Sequence, residues 1–324
     1  MTASRDADVL VIGAGISGLL CASRLQAAGL KVLVVDKSHG VGGRMATRRI
    51  GAARFDHGAQ FFNAFRRPFQ ALVEDWLADG RVKTWHRLDA RYGPASAPPR
   101  YCGVHGMTDV PKHLAASLDV QCSQRITTLA HADGFWRAQA ESGMGFQASR
   151  LVLTAPLPQA LDLLDTIGFA QLEKAYASLR HVRYARGLAL LARLDQPSAL
   201  PEPGYCELDA PACRWIADNQ LKGISPEPCV TLHASPAFAS EHWETADDDC
   251  AERMLQVAAP WLGGAKVIER VCHRWHYALP VNAWPQLFFA APRLGLWLAG
   301  DAFGGSRVEQ AACSGLAVAQ ELLT

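Results

Sequence analysis

No run of 18 apolar residues occurs anywhere in the 324-residue chain, which excludes a conventional membrane-spanning helix. An excess of one charge is also missing. The 32 Lys+Arg against 31 Asp+Glu leave a net charge of +1, so no overall basic field draws in nucleic acid or an anionic membrane. The nine cysteines are dispersed, with no CxxC pair, which argues against zinc ribbons and disulfide scaffolds and for reduced cytosolic thiols. His105, His113, His131 and His242 show no ligand spacing with Cys or carboxylates, so no metal site is expected. The polar start Met1-Thr2-Ala3-Ser4-Arg5-Asp6 runs into apolar residues without a basic region, a long apolar stretch or a cleavage site. A soluble, cytoplasmic protein is the expectation. What is present is a 49% hydrophobic composition, ample for a large core.

The first 37 residues read as a βαβ unit: an apolar strand over Asp8 to Ile12, a glycine turn, an amphipathic helix over about Ile16 to Ala28, and a strand over Lys31 to Val35. In Gly13-Ala14-Gly15-Ile16-Ser17-Gly18, Gly13 makes the tight turn, Gly15 lets the backbone approach a pyrophosphate, and Gly18 permits close helix–sheet packing. The first turn of the helix, from Ile16 and Ser17, offers free N–H groups and a positive dipole end to phosphate. Asp36 closes the second strand where a carboxylate accepts adenosine ribose hydroxyls. It disfavours a 2′-phosphate, although the adjacent Lys37 leaves that point open. These features specify a dinucleotide site.

Farther on, Arg125 to Ala130 and Trp136 to Ala140 suggest a hairpin, and Arg150 to Pro156 a buried strand ending in a breaker. Tyr92 to Pro99 reads as a Pro/Ala/Ser loop, and about Ala160 to Pro285 as antiparallel strands with two interposed helices. Leu294 to Gly300 reads as a buried strand and Val308 to Leu323 as a helix. The fold class expected is α/β, a Rossmann-type parallel sheet with a second, largely antiparallel α+β domain.

Gly42-Gly43-Arg44 and Asp56-His57-Gly58-Ala59-Gln60-Phe61-Phe62 follow the ribose-binding acid, and Gly300-Asp301 precedes Arg307-Val308-Glu309 at the last helix. In this order the chain resembles the flavin-containing amine oxidase superfamily. Within it, Gly106-Met107, Leu232-His233-Ala234 and Arg274-Trp275-His276-Tyr277 extend the resemblance to the renalase family, spread over nearly the whole chain. Phe62 stands where relatives often carry Tyr. The resemblance implies a discontinuous FAD-binding domain, 1–65, 101–160 and 286–324, with a substrate domain at 66–100 and 161–285. It implies flavin contacts from Gly13, Gly15, Ile16, Ser17, Gly18, Asp36, Lys37, Gly43, Arg44, Ala59, Gln60, Phe61, Ile126, Gly300, Asp301, Val308 and Glu309. Arg44 is expected at the pyrophosphate and Asp301 at the ribityl or pyrophosphate region. Neither Cys313 nor Cys272 has the setting for covalent attachment, so FAD is expected to be non-covalent.

The activity implied is oxidation of 2- or 6-dihydro-NAD(P) to NAD(P)+, with hydride passing to flavin N5 and electrons then to O2, giving H2O2. Such chemistry needs positioning residues and no acid/base dyad. Strand alternation supplies candidates. In Cys229 to Ser235 it sets Val230, Leu232 and Ala234 against Thr231, His233 and Ser235. His233 either touches the carboxamide or flavin edge or is a satisfied structural histidine. The same rule pairs Trp275 with Tyr277, either as a wall for a planar ring or as packing, opposite Arg274 and His276. Arg274 pairs with a substrate phosphate or with an internal carboxylate. Gln60 and Phe62 belong to the flavin-facing segment. Asn219 and Lys222 are within reach of a carboxamide or phosphate, but read more readily as solvated turn residues. Two alternatives remain: a small flavin amine oxidase, and a non-catalytic FAD/NAD(P)-binding protein.

Overall fold

The computed structural model describes residues 4–87, 97–168 and 176–324. Of the loop expected at Tyr92 to Pro99, residues 92–96 lie outside them. Among the described residues the larger sheet has eight strands. Ser4–Ile12 lies at its centre, parallel to Val32–Val35 on one side and to Gly145–Leu153 on the other. Asp119–Gln121 and Leu296–Leu298 extend it in parallel, and Phe289–Ala291 closes one edge antiparallel. The expected hairpin is Ile126–Ala132 with Phe135–Ala140, and it pairs with the first half of Gly145–Leu153.

Both faces of this sheet are covered, which is why its strands read as continuous apolar runs. Val9, Val11, Val34, Val152 and Trp297 face the helices Ile16–Ala27, Arg67–Ala78 and Val308–Leu323. Leu10, Ile12, Leu33, Val35, Leu151 and Leu298 face the hairpin and the helix Leu157–Asp165. Each such side chain, fully buried, contributes about 1.5–3 kcal/mol. The last strand is shorter than its hydrophobic run because Pro292–Leu294 forms a 3₁₀ turn and Gly295 takes φ 61°, passing the Ser149 carbonyl too closely for a side chain.

A second sheet is antiparallel throughout, in the order Tyr205–Glu207, Trp215–Asp218, Cys229–His233, Tyr184–Leu194, Val267–Pro280. Leu188, Leu190, Ile216, Val230 and Leu232 bury one face under the helices Pro236–Glu241 and Asp247–Leu262. Ser235 caps the first of these by accepting the Phe238 N–H at 3.0 Å. The other face turns toward the parallel sheet's side of the molecule, where Leu191 and Cys229 pack on Ala53 and Phe55 of the strand Ala53–Asp56. The face bearing the histidine candidate is therefore an internal seam. Among the described residues no helix is long and apolar enough to cross a membrane.

The helices Ile16–Ala27 and Val308–Leu323 meet at Gly315, where an added Cβ would lie 2.1 Å from the Ser17 carbonyl oxygen. Gly315→Ala must therefore separate two backbones. The expected result is a loss of about 1–3 kcal/mol or more, seen as a lower Tm by calorimetry, with weaker FAD retention because Ser17 lies in the phosphate-facing turn.

Candidate active site

The dinucleotide turn has the shape its glycines require. Gly13 sits at φ 119°, and a Cβ there would be 2.4 Å from Thr154 Oγ1; one on Gly18 would be 2.1 Å from the Gly13 carbonyl oxygen. A Cβ on Gly15 would meet nothing within 4 Å, so open space lies before the uncapped N-terminus of Ile16–Ala27. Gly43, at φ 53°, borders the same space, and the buried Ser17 Oγ nearby has no hydrogen-bond partner among the described residues. Asp36 is oriented by N–H groups, Oδ2 accepting from Ala14 and Oδ1 from Ser38, each at 2.7 Å. Lys37 turns aside to Gln159 Oε1 at 2.9 Å. This cradle fits the pyrophosphate and ribose of FAD. Ile126 is buried with Ile12 and Val35 in the adjoining core.

The segment after Asp56 is clamped from several directions. Gly58 lies against Arg44, with no room for a Cβ 2.1 Å from its carbonyl oxygen, and the Ala59 N–H donates to that oxygen at 2.9 Å. Asp56 Oδ1 accepts from Thr47 Oγ1 at 2.6 Å and from the Met107 N–H at 2.8 Å. Its Oδ2 receives Lys222 Nζ at 2.7 Å in an ion pair with no exposed side-chain surface on either residue. Lys222 Nζ also donates to the Gln60 carbonyl at 2.5 Å. The buried Gln60 side chain donates to the Asp56 carbonyl, leaving Oε1 unpartnered.

Over this segment lies a row of side chains from the antiparallel sheet. Trp215 stands directly opposite His233, His233 opposite Ala189, and Ala189 opposite His273. The Trp275 indole N–H donates to the His57 carbonyl at 2.9 Å, and His233 Nε2 lies 3.3 Å from the same oxygen. The His57 ring stacks on Trp275 at 5.2 Å and meets His273 edge-on at 4.6 Å. Burial pushes His57 and His233 down to about 4, helped at His57 by the neighbouring His273. His273 is lowered too, by burial and then by Arg48. All three imidazoles are neutral at neutral pH, and His57 Nδ1 and His273 Nε2 are buried without partners among the described residues.

The residues also match known proteins. A model described as NAD(P)-binding Rossmann-like domain matches residues 11–76, and one described as flavin containing amine oxidoreductase matches residues 76–323. The chain belongs to the flavin-containing amine oxidoreductase family. It is a renalase-like member: renalase of Mus musculus is 26% identical over 288 residues, 83% of this chain and 84% of that protein. A neurosporene-forming phytoene desaturase of Rhodobacter capsulatus is 28% identical over 172 residues, 51% of this chain and 31% of the desaturase. A structure of wild-type putrescine oxidase bound to putrescine superposes with a TM-score of 0.69 at 16% identity, covering 99% of this chain and 100% of that one, which is a likeness of fold. The protein is an FAD-dependent oxidoreductase.

Within this flavoprotein several expected site residues have other partners. Arg44 forms a bidentate pair with Asp301, Nη2 to Oδ1 at 2.6 Å, and Nη1 also faces the Tyr277 and Ala278 carbonyls at 3.3 and 3.4 Å. Both its terminal nitrogens thus face protein acceptors, chiefly Asp301, which also accepts from Tyr184 Oη at 3.0 Å. Gly300, at φ 131°, donates its N–H to Ser314 Oγ at 2.9 Å. At the head of the last helix Val308 is partly buried, whereas the Glu309 carboxylate accepts the N–H groups of Phe65 and Arg66 at 2.5 and 2.7 Å. The Glu309 side chain therefore ties two helices together.

Trp275 lies on the inner face; beyond it the pairing is interrupted, Gly187 facing Trp275 and Ala185 facing Leu279, and Tyr277 meets Tyr184 edge-on at 5.6 Å. Arg274 lies on the opposite face, bound to Asp247 and to the carbonyls of Trp243 and Thr245 at 3.1 and 2.6 Å. The internal carboxylate is its partner, and it is removed from the site. Phe62 belongs to the core with Phe69 and Tyr101, each ring at 5.8 Å, while Phe61 points to Trp85 and Trp215. Asn219 is fully buried, bonding Thr231 Oγ1 at 3.0 Å, so neither it nor Lys222 is a solvated turn residue. Nothing near Lys222 in sequence signals its partner 166 positions away. His273 was findable, since it shares the parity of Trp275.

Two expectations follow from these charges. Lys222→Met leaves Asp56 buried and unpaired and should cost about 3–5 kcal/mol in denaturant unfolding, with the Lys222→Met/Asp56→Asn double variant recovering part of the loss. Because His57 and His233 resist protonation in the folded state, their contribution is complete above pH 6.5 and erodes as pH falls toward about 4, the unfolded chain binding protons first. Stability measured across that window should fall by up to about 1.4 kcal/mol per pH unit for each histidine, and His233→Asn should flatten the slope.

Proposed function

We propose that this flavoprotein oxidises isomeric dihydronicotinamides, converting 2- or 6-dihydro-NAD(P) to NAD(P)+ with reduction of O2 to H2O2. FAD, when bound, supplies the two-electron acceptor, taking hydride at N5 and later yielding electrons to O2. The observation that carries the reading is the electrostatic character of the seam. His57 and His233 remain neutral down to about pH 4, and the nearby carboxylates of Asp56 and Asp301 are consumed in ion pairs. A strong base is not needed when a dihydropyridine loses hydride, because its ring becomes an aromatic pyridinium without giving up a proton.

The side chains then have positioning tasks. Trp215 and Trp275, on the strands either side of the row, would border a planar group held there. The unpartnered His57 Nδ1, His273 Nε2 and Gln60 Oε1 offer donors and acceptors to a carboxamide, which carries both. Holding the donor carbon in reach is the main source of rate in such a site.

Anaerobic mixing of the purified FAD-loaded protein with separate 2-, 4- and 6-dihydro-NAD isomers tests the proposal. The expected outcome is rapid bleaching of the oxidised flavin band by the 2- or 6-isomer, slow bleaching by the 4-isomer, and H2O2 release on admitting air. Bleaching by amines alone would replace this reading with an amine oxidase, and bleaching by neither would leave a binding protein.

A further inference from the structure

Beside the histidine row, a cation lies among aromatic rings. The Arg100 guanidinium lies 4.3 Å from the centroid of Phe61 and 5.3 Å from that of Tyr205. Tyr205 stacks on Trp215 at 4.6 Å with 17° between planes, and Phe61 follows Gln60, whose Oε1 lacks a partner among the described residues. Phe61, Arg100, Tyr205 and Trp215 come from four separate segments, so the bracket exists only in the assembled fold.

Its hydrogen bonding is incomplete. Arg100 Nη1 is buried and has no hydrogen-bond partner among the described residues, and the same is true of Trp215 Nε1. The carboxylate of Glu207 is 3.7 Å from Arg100 Nη2, beyond hydrogen-bond distance, and its side chain is 69% exposed. Buried donors are nearly always satisfied, and a charged one left bare is costly. Ring faces hold the guanidinium while Nη1 stays without a hydrogen-bond partner among the described residues, a charged donor that suits a phosphate oxygen.

The bracket also has a defined place relative to the redox site. Glu207 pairs directly opposite Trp215, and Trp215 opposite His233. Two strand spacings, about 10 Å, therefore separate the exposed Glu207 end from His233. A ribosyl phosphate arm has the reach to join a ring at the histidines to an anion at Arg100. A protonated amine would instead be repelled by this cation.

We infer that Arg100, together with the Trp215 indole N–H, forms a subsite for the phosphate of a dinucleotide substrate whose ring lies at the histidine row. The identity of that ring rests on the function proposed above; the anion subsite rests on Arg100 and Trp215.

The test uses the FAD-loaded wild type, Arg100→Gln and Arg100→Lys with two reductants, a 2- or 6-dihydro-NAD isomer and the matching 1-methyl dihydronicotinamide, which has no phosphate. Arg100→Gln should raise the dinucleotide concentration for half-maximal flavin reduction roughly ten- to hundredfold with the limiting rate retained, and leave the methyl compound unchanged. Arg100→Lys should recover only part, since it lacks the two-pronged edge. No change, an equal change with both reductants, or loss of FAD from Arg100→Gln would overturn the subsite. In parallel, ADP-ribose binding by calorimetry should be weakened in Arg100→Gln, and failure of wild type to bind it more tightly than the variant would also overturn it. If no dihydronicotinamide reduces the wild-type flavin while ADP-ribose still binds through Arg100, the proposed oxidase activity fails and the anion subsite stands.

Discussion

Asp56 and Lys222 meet in an ion pair from which water is excluded, and the arrangement of the whole seam depends on it. Asp56 ends the strand Ala53–Asp56, which pairs with Thr47–Ile50 in a two-stranded ribbon, and Lys222 lies in the turn after Trp215–Asp218. Charges buried this completely are tolerated only with their remaining bonds filled. Thr47, Met107 and the Gln60 carbonyl fill them here. Sliding the sheet along the 56–61 segment would break the pair, so a single docking position is selected. The bonds from Trp275 and His233 to the His57 carbonyl are made in that same position.

The seam is consequently polar in its atoms but nearly neutral in its charge. Asp56 is matched by Lys222 and Asp301 by Arg44, while burial keeps the imidazoles unprotonated. Unpartnered hydrogen-bonding atoms on His57, His273 and Gln60 gather where the two layers face each other. Toward the rim the character changes, because Arg100 is held by ring faces with a free nitrogen. A neutral interior joined to a cationic rim suits a molecule with a flat neutral head and an anionic tail.

Much of the scaffold was legible along the chain. The glycine turn and its flanking strand and helix depend on interactions a few residues apart, and Gly13, Gly15 and Gly18 have the surroundings their spacing implied. Period-two alternation likewise set Val230 and Leu232 on one face and His233 on the other, and separated Trp275 from Arg274; the structure puts His233 and Trp275 at the seam. Alternation would have grouped His273 with Trp275 as well. The partners of charged residues were a different matter. Arg44 is occupied by a carboxylate 257 positions away, Arg274 by one 27 positions away on the outer face, and Glu309 by two N–H groups 243 and 244 positions back.

By itself, then, the sequence determined the elements, the faces they bury and the nucleotide-binding turn, because backbone geometry and hydrophobic periodicity act over short distances along the chain. Only the tertiary structure decided which charges are paired, which imidazoles stay neutral and which donors are left free. Those properties come from desolvation and through-space attraction among side chains that folding brings together, and no local pattern encodes them.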